Sequence, residues 1–371
     1  MKLLDILKFS EEYLKKYSFS KPRLESEKVI AHVLKLDRIG LYAYFDMELT
    51  EEQKNQIRSF LRVMARDRAE FTQVLKSTSE TKEVSFQEEN RELLRKSIEY
   101  LKNNNVIDAR LDGEYIFAHV LGVTRATLTL NFHRKITEEE KEKIKKMLIS
   151  RGKNKRPLQY ILGEWEFYGY PFKVDERVLI PRADTEILVE QCKFILNEQE
   201  NPKVLDIGTG SGAISITLGK EVKKAQILGL DISEDAITVA EENKKLNKVE
   251  NVRFLKSDIF SNVVDKDYTL IVSNPPYIPM EEYNTLMAEV KNHEPLGALT
   301  DKGDGYYFYK TISREGKNYL INGGFLAFEV GYNQAEQVSK FMEEDGYDIV
   351  AIVKDYGGID RVVIGRKNGE K

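Results

Sequence analysis

The chain has 371 residues, 41% of them hydrophobic and 32% charged, with a formal net charge of −4, the composition of a globular protein of two or three domains. A single cysteine, Cys192, excludes a disulfide framework and a multi-cysteine metal site. The opening Met1-Lys2-Leu3-Leu4-Asp5-Ile6-Leu7-Lys8 is too short in apolar residues and charged too early for a secretion signal, and no apolar run reaches the length of a membrane span. A cytoplasmic protein without a membrane partner is expected.

Charge is divided unevenly. Residues 1–165 carry 32 Lys and Arg against 26 Asp and Glu, and the remainder 25 against 35. An enzyme of nucleic acids usually presents a basic catalytic face, so an acidic C-terminal part weighs against that class.

The front of the chain is a repeat with a constant offset of 87 positions. Tyr13-Leu14-Lys15 matches Tyr100-Leu101-Lys102, and Pro22-Arg23-Leu24-Glu25 matches Ala109-Arg110-Leu111-Asp112. Ala31-His32-Val33-Leu34 matches Ala118-His119-Val120-Leu121, and Thr50-Glu51-Glu52 matches Thr137-Glu138-Glu139. Each copy reads as a small helical bundle. Thr50 with Gln53, and Thr137 with Glu140, have capping-box spacing, in which two side chains satisfy orphan amides at a helix start. His32 and His119 each stand alone in an apolar stripe and read as packing or boundary residues, not ligands. The polar stretch Ser77–Glu83 reads as the linker, giving a first copy over 1–85 and a second over 86–163.

A hairpin is expected next, from Glu166-Phe167-Tyr168 and Phe172-Lys173-Val174 about Gly169, within a connector of 164–177. From 178 onward strands and helices alternate. Strands are expected at 203–207, 225–230, 252–255, 268–272 and 324–330, with helices at 233–246 and 334–344. That alternation predicts a doubly wound α/β sheet, whose ligands bind beyond the carboxyl ends of the strands.

Two motifs sit at such ends. Asp206-Ile207-Gly208-Thr209-Gly210-Ser211-Gly212 follows the first strand, and its glycines permit a tight turn and close backbone approach to a ligand. Asp231, after the next strand, is placed to accept from the two hydroxyls of a ribose. Asp258 could accept from an adenine amine while Ile259 packs on the ring. Gly208, Gly210 and Ala213 also fit the G-x-G-x-x-A pattern of a nicotinamide dinucleotide site. Asp206 favours S-adenosylmethionine instead, since a carboxylate there serves a cationic amino group and gains nothing from a pyrophosphate.

The second motif is Asn274-Pro275-Pro276-Tyr277. The Asn oxygen can accept one N–H of a planar amino group. The carbonyl of Pro275, on a stiffened backbone, can accept the other, and the Tyr277 ring can lie against the flat face. The four residues form a receptor that aims a nitrogen lone pair at an electrophile. Glu329, at a strand end, is a supporting carboxylate or a structural one.

With these stretches, Ile180-Pro181-Arg182-Ala183-Asp184-Thr185-Glu186, Glu289-Val290-Lys291-Asn292-His293-Glu294-Pro295, Asp304-Gly305, Phe328-Glu329-Val330-Gly331 and Asp360–Arg366, the chain resembles the release-factor glutamine methyltransferases over roughly residues 92–371. The resemblance implies a Rossmann-like class I methyltransferase domain over 178–371, preceded by a helical domain that helps grip a protein substrate. It implies methyl transfer from S-adenosylmethionine, without a metal, to the side-chain amide nitrogen of the glutamine in the Gly-Gly-Gln motif of peptide chain release factors. Asp206, Gly208, Thr209, Gly210, Ser211, Gly212, Asp231, Asp258, Ile259 and Asn274 would line the cofactor site. Asn274, Pro275, Pro276 and Tyr277 would hold the glutamine. The doubled helical domain departs from the family pattern. Only the second copy keeps the junction Arg156-Pro157-Leu158-Gln159-Tyr160-Ile161-Leu162-Gly163. The first has Ala69–Lys76 there, without that proline and glycine, and reads as an added module. Two other readings compete: a methyltransferase of a base amine in ribosomal RNA or DNA, and a silent protein that only binds a translation factor.

Overall fold

The computed structural model describes residues 2–369, the side chains of 77–84 excepted. Two compact units are found. One comprises the chain up to Lys96 with Leu121–Lys141, and the other Ser97–Val120 with Glu142 onward. This division does not follow the expected boundaries at 85 and 163, because it cuts through the second helical copy.

In the first unit, the helices Leu3–Lys16, Pro22–Leu34, Arg38–Ala43 and Glu51–Asp67 close on a core that includes Leu3, Leu14, Val29, Ile30 and Met64. Thr50 Oγ1 accepts from the Gln53 amide at 3.2 Å, and Gln53 Oε1 accepts from the Thr50 amide at 2.9 Å. The Thr137 and Glu140 pair repeats this at 3.2 and 2.8 Å. The offset of 87 holds throughout. Pro22–Leu34 answers to Ala109–Leu121, Arg38–Ala43 to the 3-10 helix Arg125–Asn131, and Glu51 to Glu138 as a helix start. The His32 ring packs edge-on against Phe60 and Phe71, with centroids at 5.7 and 5.5 Å, and His119 is exposed.

The expected linker is not a break. Ser77–Glu83 lies within one helix, Phe71–Asn103. No proline or glycine occurs in that span, and a polar sequence of Glu, Lys, Ser and Thr does not by itself stop a helix. Phe71 answers to Leu158, where the short helix Leu158–Leu162 begins in the second copy. The last helix of the first copy thus runs on as the first helix of the second.

In the second unit, the strands β1 (Glu164–Phe167) and β2 (Tyr170–Lys173) form the hairpin, each beginning two residues and ending one residue earlier than expected. Tyr168 and Gly169 both have positive φ, 52° and 76°, the backbone that a two-residue hairpin turn requires. Among the described residues, seven further strands make one sheet: β3 (Lys203–Ile207), β4 (Gln226–Asp231), β5 (Val252–Lys256), β6 (Tyr268–Ser273), β7 (Leu320–Glu329), β8 (Tyr347–Lys354) and β9 (Asp360–Lys367). Their order is β5-β4-β3-β6-β7-β9-β8, and β9 alone runs against the direction of the other six. Strands β8 and β9 were not among those expected. Apolar side chains cover both faces: Val204, Leu270 and Val272 meet Leu188, Val189 and Ile216 on one, and Leu205, Ile271 and Phe328 meet Tyr309, Val338 and Met342 on the other.

Strand order reverses between β3 and β6, the place where such a sheet opens a crevice. Parallel register there puts Asp206 beside Val272 and Ile207 beside Ser273, so Gly208 and Asn274 leave adjacent strand ends. On the far side of β6, Ser273 pairs with Phe328, which brings Glu329 level with Asn274.

The helical residues of this unit are anchored by a buried cation. Arg151 Nε donates to Asp112 Oδ2 at 2.5 Å, and its Nη1 also pairs with Glu289, from the helix Ala288–His293. Burial keeps the Asp112 carboxyl above its usual range in spite of Arg151. The first copy carries Met64, fully buried, at the position corresponding to Arg151. There the counterpart of Asp112, Glu25, accepts from the Phe71 amide at 2.7 Å and pairs with Lys28 at 2.6 Å.

Candidate active site

The turn after β3 is left-handed three times, with φ of 75° at Gly208, 55° at Gly210 and 80° at Gly212. An L side chain resists that conformation, and at Gly212 a Cβ would also come within 2.9 Å of Ile216 Cδ1 and 3.0 Å of Phe254. The turn is tied to the end of β4. The Gly208 and Thr209 amides donate to the Leu230 carbonyl at 2.9 and 2.8 Å, and the Gly210 amide to Asp231 Oδ2 at 2.9 Å. Asp231 Oδ1 accepts from the Ser233 amide at 2.9 Å. Asp231 thus ties the glycine turn directly to the end of β4, and each of its carboxylate oxygens keeps a further lone pair.

Asp206 does something the sequence reading did not include. Its Oδ2 accepts from Thr209 Oγ1 at 2.7 Å and from Ser215 Oγ at 2.6 Å, fastening the turn to the helix Ala213–Glu221. Among the described residues, Oδ1 has no hydrogen-bond partner. Burial raises the carboxyl to about 6, against the two hydroxyl donors. A buried acceptor without a donor fits a cationic amino group. Ser211 is buried and its carbonyl accepts from Asn243 Nδ2 at 2.9 Å.

Asp258 is exposed and Ile259 half-buried, on the turn after β5. Ile259 has φ of 47°, an outlying conformation for a β-branched residue. Ser257 Oγ holds it there, donating to the Ile259 carbonyl at 2.9 Å and accepting from the Asn262 amide at 3.1 Å. Ile259 packs against the core cluster to which Leu205, Ile207 and Leu230 belong.

The Asn274–Tyr277 segment is clamped from several elements. Ser273 Oγ donates to the Ile207 carbonyl at 2.7 Å, and Gln334 Nε2 to the Tyr277 carbonyl at 2.9 Å. Gly305, with φ of 82°, lies so near that a Cβ would strike the Tyr277 carbonyl oxygen. A Cβ on Gly331 would stand 2.9 Å from Tyr277 Cδ2. Asp304-Gly305 and Val330-Gly331 are thus the places where backbone must pass close to the Asn274–Tyr277 segment. Asn274 Nδ2 donates to Thr185 Oγ1 at 3.2 Å, and Thr185 Oγ1 donates to Glu329 Oε2 at 2.6 Å. Burial pushes the Tyr277 and Tyr309 hydroxyls up, so neither phenol is a base at neutral pH. Thr185 and Gln334 escaped the sequence reading because their contacts join positions 89 and 57 apart, a separation with no local signal.

The chain matches known proteins over most of its length. The family model of the PrmC N-terminal domain matches twice, over residues 5–68 and 92–163, and that of the Methyltransferase small domain matches residues 183–305. The release factor glutamine methyltransferase of Fusobacterium nucleatum is 54% identical over 340 residues, covering 91% of this chain and 94% of that protein. The chain belongs to the release factor glutamine methyltransferase family. A second family member, from Thermodesulfovibrio yellowstonii, is 42% identical over 261 residues, covering 69% of this chain and 92% of its own. The two matches to the helical-domain model begin 87 residues apart, so the repeat is two copies of one domain. The Fusobacterium alignment leaves too few residues unmatched to omit the first copy. This family member is an S-adenosylmethionine-dependent enzyme on the class I methyltransferase sheet.

Proposed function

We propose that the chain methylates the side-chain nitrogen of the glutamine in the Gly-Gly-Gln motif of peptide chain release factors, in the cytoplasm and without a metal. The observation that carries this reading is the Asn274–Tyr277 receptor at the sheet's switch point, beside the glycine turn. Asp206, Gly208 to Gly212, Asp231, Asp258 and Ile259 would hold S-adenosylmethionine, which supplies a methyl group on a sulfonium and leaves as S-adenosylhomocysteine. No helix among the described residues is long and apolar enough to cross a membrane.

An amide nitrogen is a weak nucleophile because its lone pair is delocalised. Asn274 Oδ1 and the Pro275 carbonyl accept its two N–H bonds, raising electron density on nitrogen. With the Tyr277 ring against the amide plane, they fix the direction of attack. Alignment is most of what a protein can supply to an in-line displacement. The product's proton leaves through these acceptors or to water. The second helical copy contributes the grip on the protein substrate, and the first is an added module.

The test is incubation with labelled S-adenosylmethionine and ribosomal RNA, together with a release factor or with that factor carrying alanine in place of its glutamine. Label on the first factor only is expected. Label on RNA and not on the factor would replace this reading with base-amine methylation, and label on neither would favour a silent binding protein.

A further inference from the structure

We propose that Thr185 and Glu329 are positioning residues that fix which end of the Asn274 amide faces the site. Hydrogen-bond polarity sets that orientation, which rests on Asn274 acting as acceptor for the substrate amine. Glu329 ends β7 level with Asn274 and is 1% exposed. As a carboxylate it can only accept. Thr185, brought by the first turn of the helix Ala183–Asn197, therefore gives its one hydroxyl proton to Glu329 Oε2 and keeps only lone pairs. Asn274 must meet those lone pairs with its NH2 group. Its Nδ2 lies 3.2 Å from Thr185 Oγ1, and the planar amide then directs Oδ1 to the opposite side.

The polarity can be reversed. A protonated Glu329 can donate to Thr185, whose hydroxyl is then free to donate to Asn274. The amide turned over would offer NH2 to an incoming NH2, and two donors repel. Charged neighbours of Glu329 are Arg361 from β9 and Asp184 from the same helix as Thr185. Tyr277 stands nearby, and the Tyr309 hydroxyl donates to the Glu329 main-chain carbonyl at 3.0 Å. Arg361 is shared with Asp355 at 3.0 Å and Asp184 at 3.5 Å, so it does not neutralise Glu329 alone. Burial raises the carboxyl to about 7, while Thr185, Arg361 and Asn274 favour its charged form. The amide orientation accordingly responds to pH near neutrality.

The experiment pairs kcat on a release factor from pH 5.5 to 9 with nuclear magnetic resonance of the Asn274 side-chain amide, identified by its loss in Asn274→Asp. Wild-type kcat should rise about tenfold between pH 6 and 8, following the ionised fraction of one group. The amide signal should move with the same midpoint. Glu329→Gln and Thr185→Val should each lower kcat roughly 10- to 100-fold, the scale for losing a partner that orients a binding group, and abolish the midpoint. Cofactor KM and melting temperature should hold, and Thr185→Ser should restore both rate and midpoint. Wild-type kcat and midpoint in Thr185→Val would overturn the proposal, as would a loss carried wholly by cofactor KM or by unfolding. If the wild type leaves the release factor unmethylated, the substrate assignment falls. The amide titration then decides the orientation device alone: present in wild type and absent in the variants upholds it, absent in wild type sinks it.

Discussion

In the proposed cofactor site, Asp206 would link the shape of the glycine turn, which it fastens through Thr209 and Ser215, to the charge of what binds beside it. Its carboxyl, raised by burial to about 6, stays protonated in the folded protein over a range where the unfolded chain has released that proton. The group's contribution to stability is therefore full below the ordinary aspartate range and is lost as pH rises through about 6. A cationic ligand needs the ionised form. Cofactor affinity should strengthen about tenfold from pH 5 to pH 7, seen by calorimetry, and Asp206→Asn should flatten that dependence. Asn274→Ala should behave differently, lowering kcat roughly 100-fold, as removal of one preorganised polar partner does, with cofactor affinity nearly unchanged. Single-turnover rates beside cofactor titration would separate the two, and a matching loss of cofactor affinity would show that Asn274 is misassigned. The strand-end positions of Asn274 and Asp231 are legible in sequence because each closes a short apolar run. Thr185 and the second role of Asp206 are not, because they depend on which side chains the folded sheet turns toward one another.

The elements around the receptor act chiefly through backbone proximity. Gly305 touches the Tyr277 carbonyl from a left-handed turn, and the helix after β7 supplies Gln334 to the same oxygen. Gly305→Ala combines backbone strain with a clash against main chain, which cannot swing aside. It should cost about 1–3 kcal/mol in urea unfolding and reduce turnover through the displaced segment. The parallel strands β3, β4 and β6 could be read directly, since strands covered on both faces are short continuous apolar runs. Strand β8 was harder. It is an edge strand buried on one side only, Tyr347–Lys354 mixing Asp348 and Lys354 with Ile349 and Val353. The linker at Ser77–Glu83 failed for the opposite reason: polar composition resembles a loop, yet nothing in it forbids a helix.

At the scale of the whole molecule, duplication was legible because an ungapped offset survives divergence, while the different fates of the copies were not. Met64 and Arg151 occupy equivalent positions, and only the latter is ionic. Arg151→Met would give the second copy the first copy's residue and leave Asp112 and Glu289 without their cation. That change should cost about 3–5 kcal/mol, measured by denaturant unfolding. Removing residues 1–85, in contrast, should yield a folded protein that binds cofactor and keeps its turnover on the release factor; an insoluble or inactive product would show that the first copy is no mere addition. The position of β9 bears on how the enzyme comes into being on the ribosome. This strand, the last among the described residues, does not sit at the rim of the sheet but between β7 and β8. A nascent chain halted short of residue 360 already contains the glycine turn, Asp231 and Asn274–Tyr277. It nonetheless leaves the edge of β7 open and β8 with no strand to pair with, and such edges recruit other chains. The chain must therefore be made through β9 before Glu329, paired with Val362, is held in place, and products cut before residue 360 should aggregate, not work at reduced rate.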